Sequence, residues 1–263
     1  MNKHHILEIH KKSIDKEGVF LKTLDQVENA TKFYEPQTTV FLSPEIRVVL
    51  EDILLFEQDI AFTCIGGFKT AERQKIAIYP DYLSPPKPEE TITAIRIMYQ
   101  QKFNKLSHRD VLGAILGLGI TRQRVGDIIV GDDAIDVVVD KELSSYVIAS
   151  LEKVGRAGVK VSEVSLDVLK APIINFVIQQ DTVKSLRLDS IVASGLRCSR
   201  SEAQNLIAKE LVRVNYRETV SVSHTVSEKD LISIRGKGRF ILRDIEGTTK
   251  KERIRIVLAH YQS

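Results

Sequence analysis

Hydrophobic and polar positions along the first eighty residues predict helices followed by a β-hairpin. In the first forty residues, apolar residues recur at helical spacing and predict two amphipathic helices. Ser43, followed by Pro44 and Glu45, predicts the start of a further helix. AFTCIGGFKTAERQKIAIYP then holds two strand-like runs around glycines, which predicts the hairpin. Because four of the seven prolines follow in YPDYLSPPKPEE, we expect a domain boundary here and a helical domain with a β-hairpin over residues 1–80.

The pattern then becomes regular and predicts a central domain over residues 81–178. Strand-like and helix-like segments alternate in the order βαββαβ, at residues 91–99, 107–119, 125–130, 134–140, 141–155 and 159–166. Ser107, with Asp110 three residues later, is typical of a helix start. The order predicts a ferredoxin-like fold, in which two helices cover one face of a four-stranded sheet. RNA-recognition modules bind RNA on the other face, but the paired aromatic residues that stack bases there are missing.

The last predicted domain, residues 183–263, begins with two short helices and a strand. Apolar residues at positions i, i+3 and i+4 predict the first helix, which Gly195 can end. Ser199 and Glu202, three residues apart, have the spacing of a capping box at the start of the second helix. LVRVN follows as a strand. The chain is therefore expected to be an α+β protein. The two helices and the strand are expected to leave free a basic surface of Arg197, Arg200, Lys209 and Arg213.

Charge is distributed unevenly along the chain. Residues 183–263 contain 16 Lys and Arg against 9 Asp and Glu, a net charge of +7, whereas residues 1–182 contain 22 against 26, a net charge of −4. A basic domain of this kind indicates a polyanionic partner. Because a helix N-terminus beside arginines favours phosphate, we expect Arg200, in the first turn of the second helix, to contact RNA and to contribute little to stability.

Composition also excludes several classes of protein. No apolar run approaches the ~20 residues of a membrane helix, and the N-terminal segment does not have the pattern of a secretory signal. The two cysteines, Cys64 and Cys198, lie in unrelated segments, and no Cys or His pair has the spacing of zinc ligands. We therefore expect a cytoplasmic protein with no membrane contact, no disulfide bond and no metal ion.

Three short motifs in the last domain carry a family resemblance. Arg187-Leu188-Asp189, then Ser199-Arg200-Ser201-x-Ala203, then Val212-x-Val214-Asn215 resemble the RNA-binding domain named after ribosomal small-subunit protein four. KDLISIRGKGRF resembles the closing strands of that domain, and Tyr216 stands where the family often has glycine. The basic tail EGTTKKER, residues 246–253, is similar to that of the small heat-shock protein fifteen family, which binds large ribosomal subunits that carry a stalled peptidyl-tRNA.

The rest of the chain resembles one family of bacterial proteins. GGFKTAERQKIAIYP and SHRDVLGAILGLGITRQRVGDI, placed ahead of such a C-terminal domain, are similar to the YlmH family. The resemblance implies a non-enzymatic, monomeric RNA-binding adaptor that acts on ribosomal RNA or tRNA of the large subunit in rescue of stalled ribosomes, with a link to cell division. It also implies no cofactor and no small-molecule substrate. The residues expected to bind RNA are Arg187, Asp189, Arg197, Ser199, Arg200, Ser201, Gln204, Lys209, Arg213, Asn215, Lys237 and Arg239.

Three questions stay open at the level of the sequence. RNA-modifying enzymes such as pseudouridine synthases and methyltransferases use the same small domain as an anchor. However, about eighteen residues follow residue 245, and neither a Gly-rich cofactor loop nor a catalytic aspartate motif is found. In the central domain, a magnesium site is the alternative to a solvated hairpin for Asp127, Asp132, Asp133 and Asp136. Further RNA contacts are also open for Arg109, Arg122 and Arg124.

Overall fold

The structure, a computed structural model, describes residues 18–102, 104–172 and 174–262. The chain divides into two units between residues 172 and 173. The helices are α1 (Val19–Phe33), α2 (Pro44–Leu54), α3 (Pro88–Thr91), α4 (His108–Gly117), α5 (Ser144–Ser150), α6 (Leu188–Leu196) and α7 (Arg200–Ala208). The strands of the first unit are β1 (Gln37–Thr38), β2 (Ile60–Ile65), β3 (Lys75–Pro80), β4 (Ile92–Tyr99), β5 (Val125–Val130), β6 (Ile135–Asp140), β7 (Lys153–Val154) and β8 (Ala157–Val164). The strands of the second unit are β9 (Phe176–Val183), β10 (Val212–Val214), β11 (Arg217–Glu218), β12 (Leu231–Ile234), β13 (Gly238–Thr248) and β14 (Ile254–Tyr261).

The N-terminal part of the first unit consists of α1, α2 and a three-stranded sheet in the order β1-β3-β2. The predicted hairpin is confirmed, because β2 and β3 pair in antiparallel register. Helix α2 begins as predicted, with Ser43 at its N-cap and Pro44 in its first turn. Of the two helices expected in the first forty residues, α1 is confirmed, and the earlier one lies outside the described residues. All six residues of β3 are buried, which makes this strand the centre of the layer.

The central part of the first unit is an antiparallel sheet in the order β5-β6-β4-β8-β7. Its four long strands, with α4 and α5, follow the predicted βαββαβ order and the ferredoxin-like arrangement. The predicted capping box is present: Ser107 Oγ accepts from the Asp110 N–H, and the Asp110 carboxylate accepts from the Ser107 N–H at 2.9 Å. The helix predicted over residues 141–155 was too long, because Gly155 takes a positive φ of 59° and turns β7 back onto β8.

An interface within this unit covers part of the sheet face opposite α4 and α5. The Asp127 carboxylate accepts from the backbone N–H groups of Glu72 and Arg73 at 2.8 and 3.1 Å. The Arg73 guanidinium donates to the carbonyls of Phe41 and Val125 at 2.9 and 3.1 Å. Such hydrogen bonds fix the relative position of both parts, since buried donors left unpaired are costly. Apolar packing adds to them through a cluster of Phe41, Ile65, Ala77, Tyr79, Ile92 and Val138.

The second unit, hereafter the C-terminal unit, is a six-stranded antiparallel sheet with α6 and α7 on one face. The strands run in the order β11-β10-β12-β13-β14-β9. Strand β9 pairs with β14 over its whole length, so the unit begins about ten residues before the predicted residue 183. The predicted basic tail, residues 246–253, is part of the sheet. It forms the end of β13 and the turn into β14, whose residues Ile256 to Ala259 are buried.

Gly195 has a different role from the predicted one. Helix α6 continues past it to Leu196, and Arg197 takes the left-handed conformation at the C-cap with φ 51°. Gly195 is buried, and a Cβ added to it would overlap the ring of Phe240 on β13. The absence of a side chain therefore allows the helix to lie close to the sheet.

We expect Gly195→Ala to lower the free energy of unfolding of the C-terminal unit by about 1–3 kcal/mol, because overpacking forces the helix away from Phe240. The matched control is Gly113→Ala in α4, where an added Cβ meets nothing within 4 Å. This control is expected to be neutral or to stabilise by up to about 1 kcal/mol. Thermal and urea melts of both variants measure the difference. Equal effects of the two substitutions would contradict the close-approach role of Gly195.

Across the described residues, no helix is long and apolar enough to span a lipid bilayer.

Candidate nucleic-acid interface

A buried carboxylate organises the start of the two helices of the C-terminal unit. The Asp189 side chain, in the first turn of α6, is 0% exposed. It accepts hydrogen bonds from Arg200 at 2.9 and 3.1 Å and from Gln204 at 2.9 Å, both on α7. Arg187, the N-cap residue of α6, donates to the same carboxylate at 3.2 and 3.4 Å. The four side chains form what we call the Asp189 network.

The Asp189 carboxylate is held in its charged form. Burial alone raises its pKa, but hydrogen bonds from Gln204, Arg187 and Arg200 outweigh burial and bring the pKa below its ordinary value. The expectation that Arg200 is free of structural contacts was therefore wrong. Its side chain is still 51% exposed, so the outer part of the guanidinium faces solvent while the inner part binds Asp189. Asp189 itself lies too deep to touch a ligand, and its place in the site is to position the two arginines.

The N-terminus of α7 lies beside this network. Ser199 is its N-cap, and Ser199 Oγ accepts from the Glu202 N–H at 3.1 Å. This bond is one half of the predicted capping box. The Glu202 carboxylate, which would supply the other half, pairs with Lys237 at 3.3 Å. Ser201 is exposed in the first turn. Free backbone N–H groups and the helix dipole at such an N-terminus favour an anion.

An open groove of about 540 Å³ runs along α6 next to Arg200. Its basic lining residues are Lys184, Arg197, Arg200 and Arg253, and its wall also carries the hydroxyl groups of Thr182, Ser190 and Ser194. Arg253 is oriented by Thr182, to whose hydroxyl it donates at 2.9 Å and whose carbonyl it also contacts. The acidic residue in the lining, Asp181, accepts from Ser194 Oγ at 2.6 Å. Because the Ser194 hydroxyl donates to Asp181, the groups that can meet a phosphodiester backbone are the four cations and the hydroxyl groups of Thr182 and Ser190.

The comparisons with known proteins agree on one protein family. Residues 15–83 match the family model "YlmH, N-terminal", residues 85–168 match "Putative RNA-binding domain in YlmH", and residues 186–232 match "S4 domain". The chain is 36% identical over 223 residues to "Ribosome-associated protein quality control protein P2" of Bacillus subtilis (strain 168), with 85% of this chain and 86% of the relative covered. The chain belongs to the YlmH family. A solved structure, "Cell division protein ylmH from Streptococcus pneumoniae", is 27% identical with a TM-score of 0.50, and the likeness covers 59% of this chain and 94% of that one.

The remaining residues expected to bind RNA in this YlmH-family chain lie away from the Asp189 network. Lys209 is exposed at the C-cap of α7. Asn215, with φ 49°, closes a turn by bonding Asp230 and the Leu231 N–H at 2.7 and 3.0 Å. Tyr216 also takes a positive φ, of 67°, so the turn typical of glycine is kept without glycine.

Two further predicted arginines lie on the sheet face opposite α6 and α7. Val212 and Val214 face the helices, and Arg213 between them faces the other way and pairs with Glu218 at 3.1 Å. Arg239, next to the core residue Phe240, stacks on the Tyr261 ring with 4.2 Å from its guanidinium carbon to the ring centroid. The structure thus places most of the predicted site residues of this YlmH-family chain on two surfaces, while Lys209 lies at the C-cap of α7, Asn215 in a turn, and Lys237 beside Glu202. Arg187, Arg197, Ser199, Arg200, Ser201 and Gln204 share the helix surface.

Sequence reasoning missed Lys184 and Arg253 in the groove. Lys184 directly follows β9, a strand whose pairing with β14 had no local signal. Arg253 is the last residue of the basic segment EGTTKKER, so the charge of that segment was a signal for it. The residues beside Arg253 become known only with the register of β14 against β9. The groove is therefore a product of long-range strand pairing.

Four of the seven residues left open in the central domain have structural partners, and Arg109, Asp132 and Asp133 are exposed. Asp127 binds backbone N–H groups, Asp136 pairs with Arg96 at 2.7 Å, and no cluster of three or more metal-ligating side chains occurs in the parts of the chain that the structure describes. Arg122 donates to the Val125 and Gly126 carbonyls, and Arg124 pairs with Asp140 and Glu142. Part of the sheet face on which RNA-recognition modules stack bases is covered by Phe41 and Tyr79.

Proposed function

We propose that this YlmH-family protein is a non-enzymatic adaptor that binds structured RNA of the large ribosomal subunit or its tRNA and acts in quality control of stalled ribosomes. The helix surface of the C-terminal unit makes the contact. The observation that carries the proposal is the Asp189 network, which holds Arg187 and Arg200 at the N-termini of α6 and α7 beside a basic groove. Rigid arginines at helix N-termini suit the phosphates of folded RNA.

The wider setting of the proposal comes from the relatives. The Bacillus subtilis relative is named for ribosome-associated protein quality control, and the protein of the Streptococcus pneumoniae structure is named for cell division. We propose that ribosome-associated quality control is also the main activity of this protein, in the cytoplasm, and that a link to cell division is a consequence of that activity. The net charge of +7 over residues 183–263 supports RNA rather than an acidic protein patch as partner, since RNA offers regularly spaced phosphates.

In sucrose gradients from cells with blocked translation, we expect the protein to sediment with large subunits, most strongly with those that retain a peptidyl-tRNA. Large subunits stripped of tRNA are the control and should bind less. Presence only in the top fractions would contradict the proposal.

The alternative, an RNA-modifying enzyme, is tested by incubation with large-subunit RNA labelled in uridine, or with a methyl donor. Any turnover that depends on the protein would favour the enzyme.

A further inference from the structure

The C-terminal sheet carries a row of aromatic and arginine side chains on the face away from α6 and α7. In the strand registers, Glu218 pairs with Arg213, Arg213 with Ser233, and Ser233 with Arg239. Phe240 pairs with His260, which places Arg239 beside Tyr261, and Tyr261 pairs with Phe176 on the edge strand β9. One residue from each of the six strands therefore lies on a single line across the sheet.

The aromatic half of this row consists of the exposed Phe176 and the half-buried Tyr261 and Arg239, which are ordered by mutual contacts. Phe176 and Tyr261 meet edge to face, with ring centroids 5.0 Å apart, and the Arg239 guanidinium lies over the Tyr261 ring. Phe176 is 37% exposed, and Ile178, two residues along the same edge strand, is 45% exposed. Ile178 belongs to an adjoining apolar row that continues through Ala259 and Ile241.

We propose that this row, which we call the sheet surface, is a second nucleic-acid site that takes unpaired nucleotides. Aromatic rings on a sheet face stack bases whatever their sequence, and arginines between them bind the connecting phosphates. Strands lie about 4.8 Å apart, so Arg213 and Arg239, two strands apart, are separated by about 10 Å along the row. A single strand crossing the sheet meets the rings at one end, Arg239 next to them, and the Arg213–Glu218 ion pair at the far end.

A nucleic acid fits this surface better than a protein does. A nucleotide supplies both groups that this surface suits, because its phosphate matches the positive charge of Arg239 and its base can stack on the exposed Phe176 ring. The site goes beyond the proposed function, because the helix surface uses other residues on the opposite face of the same sheet. One domain would then hold a folded RNA on its helices and a single-stranded segment on its sheet.

The chain contains no tryptophan, so Phe176→Trp in the full-length protein introduces a single reporter at the aromatic end of the row, on the edge strand. We expect a short oligouridylate or oligoadenylate to quench its fluorescence by stacking. Phe56→Trp, at an exposed position of the first unit, is the matched control and should not be quenched. In the Phe176→Trp background, Tyr261→Ala or Arg239→Gln should weaken oligonucleotide binding about tenfold or more.

The test separates this inference from the proposed function. Lys184→Glu with Arg197→Glu, on the helix surface, should leave the quenching affinity within about threefold, whereas Arg239→Gln should leave binding to intact large subunits measurable. No quenching, equal quenching in the Phe56→Trp control, or an unchanged affinity in both sheet-surface variants would overturn the inference. Concentration-dependent self-association that Ile178→Ser abolishes, without quenching by RNA, would also overturn it and point to a protein partner. Circular dichroism of each variant confirms folding.

Discussion

Replacing Arg187 and Arg200 together with alanine is expected to lower the free energy of unfolding of the C-terminal unit by about 3–5 kcal/mol, because a fully buried Asp189 carboxylate then keeps Gln204 as its remaining donor from the network. Arg200→Ala alone should lower it by about 1–3 kcal/mol, since Arg187 still pairs the charge. Lys209→Ala, at an exposed position, is the control and should stay within about 0.5 kcal/mol. Urea denaturation at neutral pH measures all three.

A rescue experiment identifies the cause of that destabilisation. Adding Asp189→Leu to the double variant removes the unpaired buried charge and should restore most of the stability.

The pH dependence of this stabilisation has a defined sign. The pKa of Asp189 in the folded protein lies below its ordinary value of 3.8, so the network stabilises above about pH 4 and its contribution is lost as the pH falls further. The difference between the wild type and the double variant should therefore shrink in acid. A double variant as stable as the wild type at pH 7 would show that the network is not structural.

The second large effect is expected in RNA binding. Lys184→Glu with Arg197→Glu should weaken binding to large-subunit RNA by about 3–5 kcal/mol, more than a hundredfold, because two charge-assisted hydrogen bonds to phosphate are removed and two negative charges enter the groove. The dependence of log Kd on log salt should also become shallower, by about 0.7–0.9 for each phosphate that the variant no longer neutralises. Both residues are exposed, so folding should be unaffected.

A charge-matched control separates direct phosphate binding from long-range attraction. Lys22→Glu with Lys32→Glu, on exposed positions of α1, changes the net charge of the protein by the same amount but lies in the first unit. Filter binding across a salt series compares the two double variants. If both weaken binding equally, the groove contributes through net charge alone, and the assignment of phosphate binding to Lys184 and Arg197 is wrong.

Local patterns in the sequence predicted the elements that depend on local rules. The apolar spacing from Leu188 to Val192 and the cap at Ser199 predicted the two helices, and the alternation in VRV predicted the strand that follows them. The βαββαβ order of the central domain followed from the same rules together with short turns. Each of these signals lies within one turn of a helix or one strand.

What the sequence did not predict depends on contacts between distant residues. Arg200 lies on the face of α7 away from its apolar stripe and was expected to be free, but α6 brings the buried Asp189 to it. Strand β9 has no typical turn before it, and its partner β14 lies about eighty residues later. The row of Phe176, Tyr261 and Arg239 can be recognised only once two strand registers are known, that of β13 with β14 and that of β14 with β9. Pairing across a sheet is not encoded in local spacing.

The central claim is that the helix surface of the C-terminal unit is where the protein holds ribosomal RNA. Ultraviolet crosslinking of the protein on isolated large subunits, with the crosslinked peptides identified by mass spectrometry, tests it most directly. We expect the crosslinked residues to cluster in peptides that contain Lys184, Arg197 and Arg200, and these crosslinks to disappear in the Lys184→Glu, Arg197→Glu variant. Crosslinks that cluster instead in residues 18–172, and that persist in the variant, would contradict the claim.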